Sequence, residues 1–348
     1  MSKRTTLNDI ARAVGVTSST VQRALNGMAG VSEEKRQEIK KTAEAMGYRG
    51  NVMAKMLHKQ SMTIAVALPE PTYYSKRLWS GVDQALSENT GFEILCHRYT
   101  YPRSLSGLTA VLEEVWDKHG KNLDGVLTMG EPDQQARSSY SRWREHRVPV
   151  FFVGTEGNPA DRLCCCRGIS EMAGRIAADL LLLTTQPGSP TKILLTGDFS
   201  ISDQYADMQG FERVLMQDGA VCELIKLSGR IQDEQMKKML CDRLLNDKGI
   251  SAIFSTSARN TVTMCDAVLN AGLDGQVKLI GSDLFPQSRE LLMQGRLHAV
   301  IDKRPGRQAY LATQALINFV LWNTSPESDI LCSPVIATRS NVSYTEAL

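Results

Sequence analysis

Residues 6–26 read TLNDIARAVGVTSSTVQRALN, and the start of the chain is decided by this stretch. Leu7, Ile10, Ala11 and Val14 recur at i, i+3, i+4 and i+7, which draws one apolar stripe along a short helix. Thr6, with Asp9 three positions on, can serve the orphan amides of its first turn, and Gly15 can take the left-handed conformation that closes it. Thr17 then caps a second helix. Val21, Ala24 and Leu25 share the face that packs on the first helix, and Ser18, Ser19, Gln22 and Arg23 fall on the other. Small side chains let such a helix approach a surface closely, and Ser, Gln and Arg can bond base edges. The pattern therefore suits the major groove of DNA. The alternative is a small helical bundle with an ordinary solvated face.

Residues 27–30 read as a loop. Ser32 caps a third helix with Glu33 and Glu34 in its first turn, where the helix dipole favours acids. Ile39, Ala43 and Met46 form its buried stripe and Gly47 ends it. Charge supports the nucleic-acid reading: residues 1–61 carry eleven bases against five acids. That is +6, leaving −4 for the rest of a chain whose net charge is +2. A basic head on a mildly acidic body is the layout of a small DNA-binding unit attached to something else.

At 348 residues, 42% hydrophobic and 22% charged, the chain has the length for two or three cores and the composition of an ordinary soluble protein. No apolar run nears the roughly 20 residues that span a bilayer, and the N-terminus lacks a signal-peptide core. No membrane association and a cytoplasmic location are the expectation. Eight Cys form no framework. Cys164, Cys165 and Cys166 are consecutive and would alternate faces in a strand, so they read as small buried thiols rather than metal ligands. No metal and no cofactor are expected.

The run at residues 6–26 resembles the N-terminal headpiece of the LacI/GalR transcription regulators, whose usual pattern is T-L-x-D-I-A-x-x-A-G-V-S-x-x-T-V-S-R-x-L-N. Val14, Thr17 and Gln22 are the departures. By position, the resemblance implies that Ser18, Ser19 and Arg23 read bases and that Thr6, Thr17, Thr20 and Asn26 anchor the DNA backbone. Gln22 adds a further base contact where Ser is common. Residues 48–61, YRGNVMAKMLHKQS, read on their own as a linker with stray hydrophobes. In the family this segment becomes a hinge helix on DNA. Asn51, Ala54 and Leu57 match its pattern, Leu57 being the candidate wedge into the minor groove. Gly50 replaces the usual Pro, which makes ordering the hinge more costly.

From Met62 short apolar runs alternate with helical patterns. Residues 63–69, 92–96, 123–130, 148–155, 192–198, 220–227, 250–257, 277–283 and 297–302 read as strands, with helices at 78–88, 105–118, 170–184, 205–218, 233–246 and 261–271 among those between them. Such alternation means parallel sheets with right-handed crossovers, and this many strands imply two lobes. The fold expected is an all-α helix-turn-helix headpiece (1–49), a hinge (50–61) and an α/β two-lobed body (62–348). The resemblance gives the body a type I periplasmic-binding-protein-like form with three crossings. Lobe 1 would then be about 62–157 and 288–320, and lobe 2 about 158–287 and 321–348.

Ligands of open α/β sheets lie beyond the carboxyl ends of the strands. Those ends carry Tyr73, Tyr74, Glu131, Asp133, Ser200, Asp203, Ser257, Arg259, Asn260, Asp283, Asp302 and Lys303. Singly each is ordinary loop polarity. Together, aromatic faces with carboxylates, amides and a guanidinium suit a polyhydroxylated ligand. The resemblance singles out Asp283, in a Gly-Ser-Asp that matches the family's G-x-D. It also marks departures: Ser257 and Ala258 stand for Asn-Asp, Asp207 for an Arg, and Ile169 for an Asp. Arg259 could replace the missing Arg, and an acidic or unusual sugar derivative comes into view. No phosphate-binding, metalloprotease or nucleophile-elbow motif is present, so an enzyme is not expected.

These observations lead to a homodimeric repressor on double-stranded DNA with a palindromic operator, answering to a small-molecule effector, a sugar or sugar acid. An effector-independent DNA-binding protein and a sugar-binding protein without regulatory role are the alternatives.

Overall fold

The computed structural model describes residues 5–25, 30–46, 61–102, 106–130, 135–183, 191–217, 222–229 and 231–343. The chain divides into two compact units, Met1–Gln60 and Ser61–Leu348.

In the first unit three helices, α1 (Leu7–Val14), α2 (Ser18–Leu25) and α3 (Glu33–Ala45), close on Ile10, Ala11, Val14, Val21, Ala24, Ile39 and Ala43. The Thr6 hydroxyl accepts from the Asp9 amide, and the Asp9 carboxylate accepts from the Thr6 amide at 2.8 Å, which completes a capping box. Gly15 sits at φ 71°, the left-handed conformation that lets the chain turn at once into α2. α3 then holds the other two ends. Lys35 Nζ donates to the Val14 carbonyl at 3.2 Å and Arg36 Nη1 to the Ala24 carbonyl at 3.1 Å, serving carbonyls the helices leave open.

The second unit alternates strand and helix. One sheet contains β1 (Ser61–Pro69), β2 (Glu93–Tyr101), β3 (Gly125–Gly130), β4 (Val150–Glu156), β5 (Cys164–Gly168) and β11 (Ile330–Cys332), ordered β11-β5-β4-β3-β1-β2 and parallel throughout. The other contains β6 (Thr191–Gly197), β7 (Cys222–Ser228), β8 (Ile250–Ser255), β9 (Lys278–Ser282), β10 (Ala299–Asp302) and β12 (Val335–Ala337), ordered β12-β10-β9-β8-β6-β7, with only β12 antiparallel. Parallel sheets covered on both faces require apolar residues at successive positions. Ile64, Val66 and Leu68 pack with α4 (Tyr73–Glu88) and α12 (Pro305–Trp322). Ala65 and Ala67 pack with α5 (Gly107–His119) and α6 (Ala136–Glu145). The three cysteines follow the same rule: Cys164 and Cys166 enter the first of these cores and Cys165 the second.

The lobe boundaries differ from those expected. β5 pairs with β4, Phe151 facing Cys164, so the chain first crosses after Gly168 rather than near 157. α11 (Pro286–Met293) buries Leu291 and Leu292 with Val300 in the second lobe, so the return comes between Asp302 and Pro305 rather than near 287. The tail is shared, since β11 extends the first sheet and β12 the second. β5, β11 and β12 are five, three and three residues long, too short to carry a periodic signal.

The second lobe's outer face depends on a close helix pair, α7 (Ser170–Leu182) against α8 (Ser202–Gln217). A Cβ at Gly174 would lie 1.8 Å from the Asp207 carbonyl oxygen, and one at Gly210 2.0 Å from that of Glu171. Gly174→Ala must therefore separate the backbones, at about 1–3 kcal/mol for overpacking. A Tm lowered by several degrees is expected, and an unchanged Tm would refute the close approach. The rest of the lobe, α9 (Asp233–Asn246) and α10 (Ala258–Asn270), packs on the opposite face.

Candidate functional site

Two sites emerge, one in each unit. On the headpiece, Val21 and Ala24 of α2 are buried, whereas Thr17, Ser19, Gln22 and Arg23 are exposed and Ser18 and Thr20 half-buried. The hydroxyls of Ser19 and Thr20 each lie 2.8 Å from that of Thr17, at the helix N-terminus. Thr6 is exposed too, although its hydroxyl already donates to Asp9 at 2.7 Å. Asn26, Asn51, Ala54 and Leu57 lie outside the described residues.

In the body, several of the predicted effector residues converge where the strands of the two sheets end. α4 opens with the Thr72 cap, which presents Tyr73, Tyr74 and Arg77 from its first two turns. Tyr73 crosses to the second lobe: its ring stacks on Phe285 at 5.5 Å and its hydroxyl accepts from Gln287 Nε2 at 2.7 Å. Arg77 also crosses. Its guanidinium grips Asp302 at the end of β10 with two bonds, 2.7 and 2.9 Å, and donates to the Leu284 carbonyl at 3.1 Å. Asp302 is fully buried and Arg77 nearly so.

Next to this pair, Lys303 Nζ donates to Asp207 Oδ2 at 2.8 Å and to the Thr256 carbonyl at 3.4 Å. Asp283 stands at φ 62°, a left-handed conformation Asp tolerates better than most residues, with its amide bonded to the Ile301 carbonyl. One oxygen of Asp207 and one of Asp283, Oδ1 in each, are buried with no hydrogen-bond partner among the described residues. Tyr73, Tyr74, Arg77, Asp283 and Phe285 help line a cavity of about 10 Å³, the room of roughly one water.

Burial first, then the repulsion of Asp283 and Asp203, push the Asp207 carboxyl up to about 7 against the pull of Lys303. Burial likewise raises the carboxyls of Asp203 and Asp283. Burial opposes charge on Lys303, yet Asp207, Asp283 and Asp203 together hold its ammonium above the ordinary lysine range. A carboxyl whose folded-state pKa exceeds its unfolded value binds its proton better in the native protein. Its contribution to stability therefore falls as pH rises from about 4 to about 7. Asp207→Asn is expected to flatten that part of the Tm-against-pH curve; wild-type and variant curves of equal slope would count against a raised carboxyl.

The other predicted residues are placed elsewhere. Ser257 caps α10, accepting from the Asn260 amide at 3.2 Å, and Asn260 Nδ2 donates to Thr196 Oγ1 at 3.0 Å. Ser200 closes an exposed turn onto Asp198 at 2.5 Å. Arg259 forms an exposed ion pair with Asp233. Glu131 lies outside the described residues. Arg77 went unnoticed in the sequence: a lone Arg inside an amphipathic helix gives no sign of a partner 225 positions away.

Two family profiles match the chain: "Bacterial regulatory proteins, lacI family" over residues 6–51, and "Periplasmic binding protein domain" over residues 129–321. The chain belongs to the periplasmic binding protein domain family, with a lacI-family match at its N-terminal end. Among similar curated proteins is catabolite control protein A of Staphylococcus epidermidis, 26% identical over 219 residues, 61% of each chain. The HTH-type transcriptional regulator DegA of Bacillus subtilis is 25% identical over 293 residues, 80% of this chain and 82% of DegA. The match thus spans about three-fifths of the first relative's length and four-fifths of the second's. A periplasmic solute-binding protein of Actinobacillus succinogenes, solved with bound D-allose, superposes with TM-score 0.71 at 15% identity, over 82% of this chain and 100% of that one, a likeness of fold. These relatives are named as a catabolite control protein and a transcriptional regulator. Against the LacI-family pattern, Asp207 occupies the position of the usual Arg. The cation it faces is Lys303, not Arg259.

Proposed function

We propose that the chain is a sequence-specific DNA-binding transcription regulator, a repressor acting in the cytoplasm as a homodimer on a palindromic operator. A small sugar or sugar derivative held between the lobes of the body would control it. The observation that carries this reading is the exposed face of α2: Ser19, Gln22 and Arg23 stand clear of a helix fixed from behind by Val21 and Ala24. Two such helices related by a twofold axis read half-sites one helical turn apart or a multiple of it. Selection of bound sequences from random duplex by the full chain tests the reading. A palindromic consensus bound at least a thousandfold more tightly than scrambled duplex at physiological salt is expected; equal affinity for both would sink it.

Leu57 is the proposed wedge at the operator centre, and Leu57→Ala should reduce DNA bending measured by gel mobility. Unchanged bending would remove it from that role.

On the ligand side, bonds that cross between lobes are those a change in lobe orientation must alter: Tyr73 on Phe285, Tyr73 with Gln287 and Arg77 with Asp302. The cavity has room for about one water, so a sugar must part the lobes to bind. Differential affinity for the parted state is what couples ligand to DNA, by typically 1–3 kcal/mol. The D-allose held by the similar Actinobacillus protein supports the sugar class. Asp283→Ala is expected to abolish the effector response and leave operator affinity intact. The small size of the cavity also favours a second reading, a DNA-binding protein without effector. A rise in Tm with any sugar would exclude it, since a ligand of the native state stabilises that state.

A further inference from the structure

Among the described residues, the charge lining the lobe junction is unbalanced. Asp203, Asp207, Asp283 and Glu156 interact there with two cations, Lys303 and Arg167. Arg77 and Asp302 already neutralise each other through two short bonds. Arg167 leans on Glu156 at 3.3 Å and Lys303 on Asp207 at 2.8 Å, which leaves Asp203 and Asp283 without a cation bonded to them. The buried Oδ1 atoms of Asp207 and Asp283 accept no hydrogen bond from the described residues, and Asp207 is wholly buried. They come from different elements, α8 and the turn after β9, and both interact with Lys303.

Burial favours the protonated carboxyl at both positions, and in the ionised form a carboxylate can only accept. Whatever completes these two must donate, and a buried charge left unpaired is costly. A hydroxyl donates but leaves the excess negative charge in place. A carboxylate on the ligand would add to it. A primary ammonium supplies three donors and cancels one charge at once.

We propose that the ligand of this cleft is cationic, an amino sugar or amino polyol whose ammonium is held by Asp207 and Asp283, and not a sugar acid. The inference rests on the reading of the lobe junction as a sugar-type effector site and assigns that ligand its charge. Lys303 keeps Asp207 Oδ2 in place while Oδ1 turns to the ligand. The Tyr73 and Phe285 rings, stacked at 5.5 Å, offer apolar faces to its C–H surface. The position that carries Arg in the family pattern and Asp207 here is thus the one that sets the sign of the ligand's charge.

Calorimetry and thermal shift on the full chain, with a matched panel, test this. The panel pairs glucosamine, galactosamine and mannosamine with their parent sugars, their N-acetyl forms and the corresponding uronic acids. At least one amino sugar is expected to bind tenfold or more tightly than its parent, its N-acetyl form and its acid. Asp283→Asn should erase that preference, and Asp207→Asn should do the same. Tighter binding of a parent sugar or an acid, or equal binding across a set, would overturn the assignment of charge while the sugar reading stands. Silence from every member of the panel would overturn both. The wild-type comparison decides the question even if neither variant folds.

Discussion

Asp302→Ala is expected to destabilise the body by about 3–5 kcal/mol, the cost of leaving a buried charge without its partner. In a domain of this size that corresponds to a Tm lower by roughly 10 °C. The Arg77 guanidinium is 9% exposed and Asp302 is fully buried, so neither charge can turn to water when the other is removed. Asp302 does more than pair with Arg77. Its Oδ1 also faces the amides of Leu284 and Arg304, both at 3.3 Å, and so ties the turn after β9 to the crossing after β10. The two single variants should therefore differ. Arg77→Ala leaves Asp302 with two amide donors, whereas Asp302→Ala removes the carboxylate that takes both of Arg77's short bonds. The alanine at 302 is expected to be the more damaging. Joint replacement by apolar residues of similar size, Arg77→Met with Asp302→Leu, should recover much of the loss, because two matched apolar groups leave no charge stranded. Denaturant unfolding of the four proteins measures all of this. Single variants within 1 kcal/mol of wild type would refute the account, and so would a double variant as unstable as the sum of the singles.

How legible the molecule was in its sequence depended on how local the determining interactions are. The capping box of Thr6 and Asp9 spans three residues, and Gly15 turns the chain at a single position; both stand in the structure as read. The apolar run of β1 announces a strand covered on both faces, and α9 begins and ends at the residues its pattern marked. The short strands β5 and β11 were invisible because their place comes from neighbours, Phe151 beside Cys164 and Ile330 beside Cys166, and that shifted the lobe boundaries. The site divides in the same way. Asp283 and Lys303 stand at strand ends and could be named from pattern and family likeness. Asp207 showed only as a mismatch, and its partner lies 96 positions on. Arg259 looked like a compensating charge until its ion pair with Asp233 was on view. Pattern locates strand ends well; it does not say which charges meet there.

The second large effect concerns DNA. Arg23→Ala is expected to weaken operator binding by about 1–3 kcal/mol, roughly fivefold to 150-fold, and to relax preference at one base pair of each half-site. Arg23 lies one position before buried Ala24 on α2, is exposed, and makes no hydrogen bond or ion pair among the described residues. A guanidinium so placed is at liberty to bond both acceptors of one guanine, the base edge that best matches its fork. Because the headpiece core of Ile10, Val21 and Ile39 does not include it, the variant should keep its helices, and circular dichroism checks that. The salt dependence discriminates between two roles for the side chain. A lost base contact costs affinity for the operator, leaves affinity for random duplex almost unchanged, and keeps the slope of log K against log salt. A lost phosphate contact weakens both duplexes alike and makes that slope shallower by about one. Ser19→Ala in parallel removes a hydroxyl from the same exposed face, and Gln22→Ser introduces the side chain common in the family pattern beside Arg23. A shift of base preference in the Gln22→Ser variant at the position adjoining Arg23's base pair would order the contacts along the groove. Equal losses on operator and scrambled duplex in the Arg23 variant would leave α2 a backbone-gripping helix, and sequence reading would have to lie elsewhere in the headpiece.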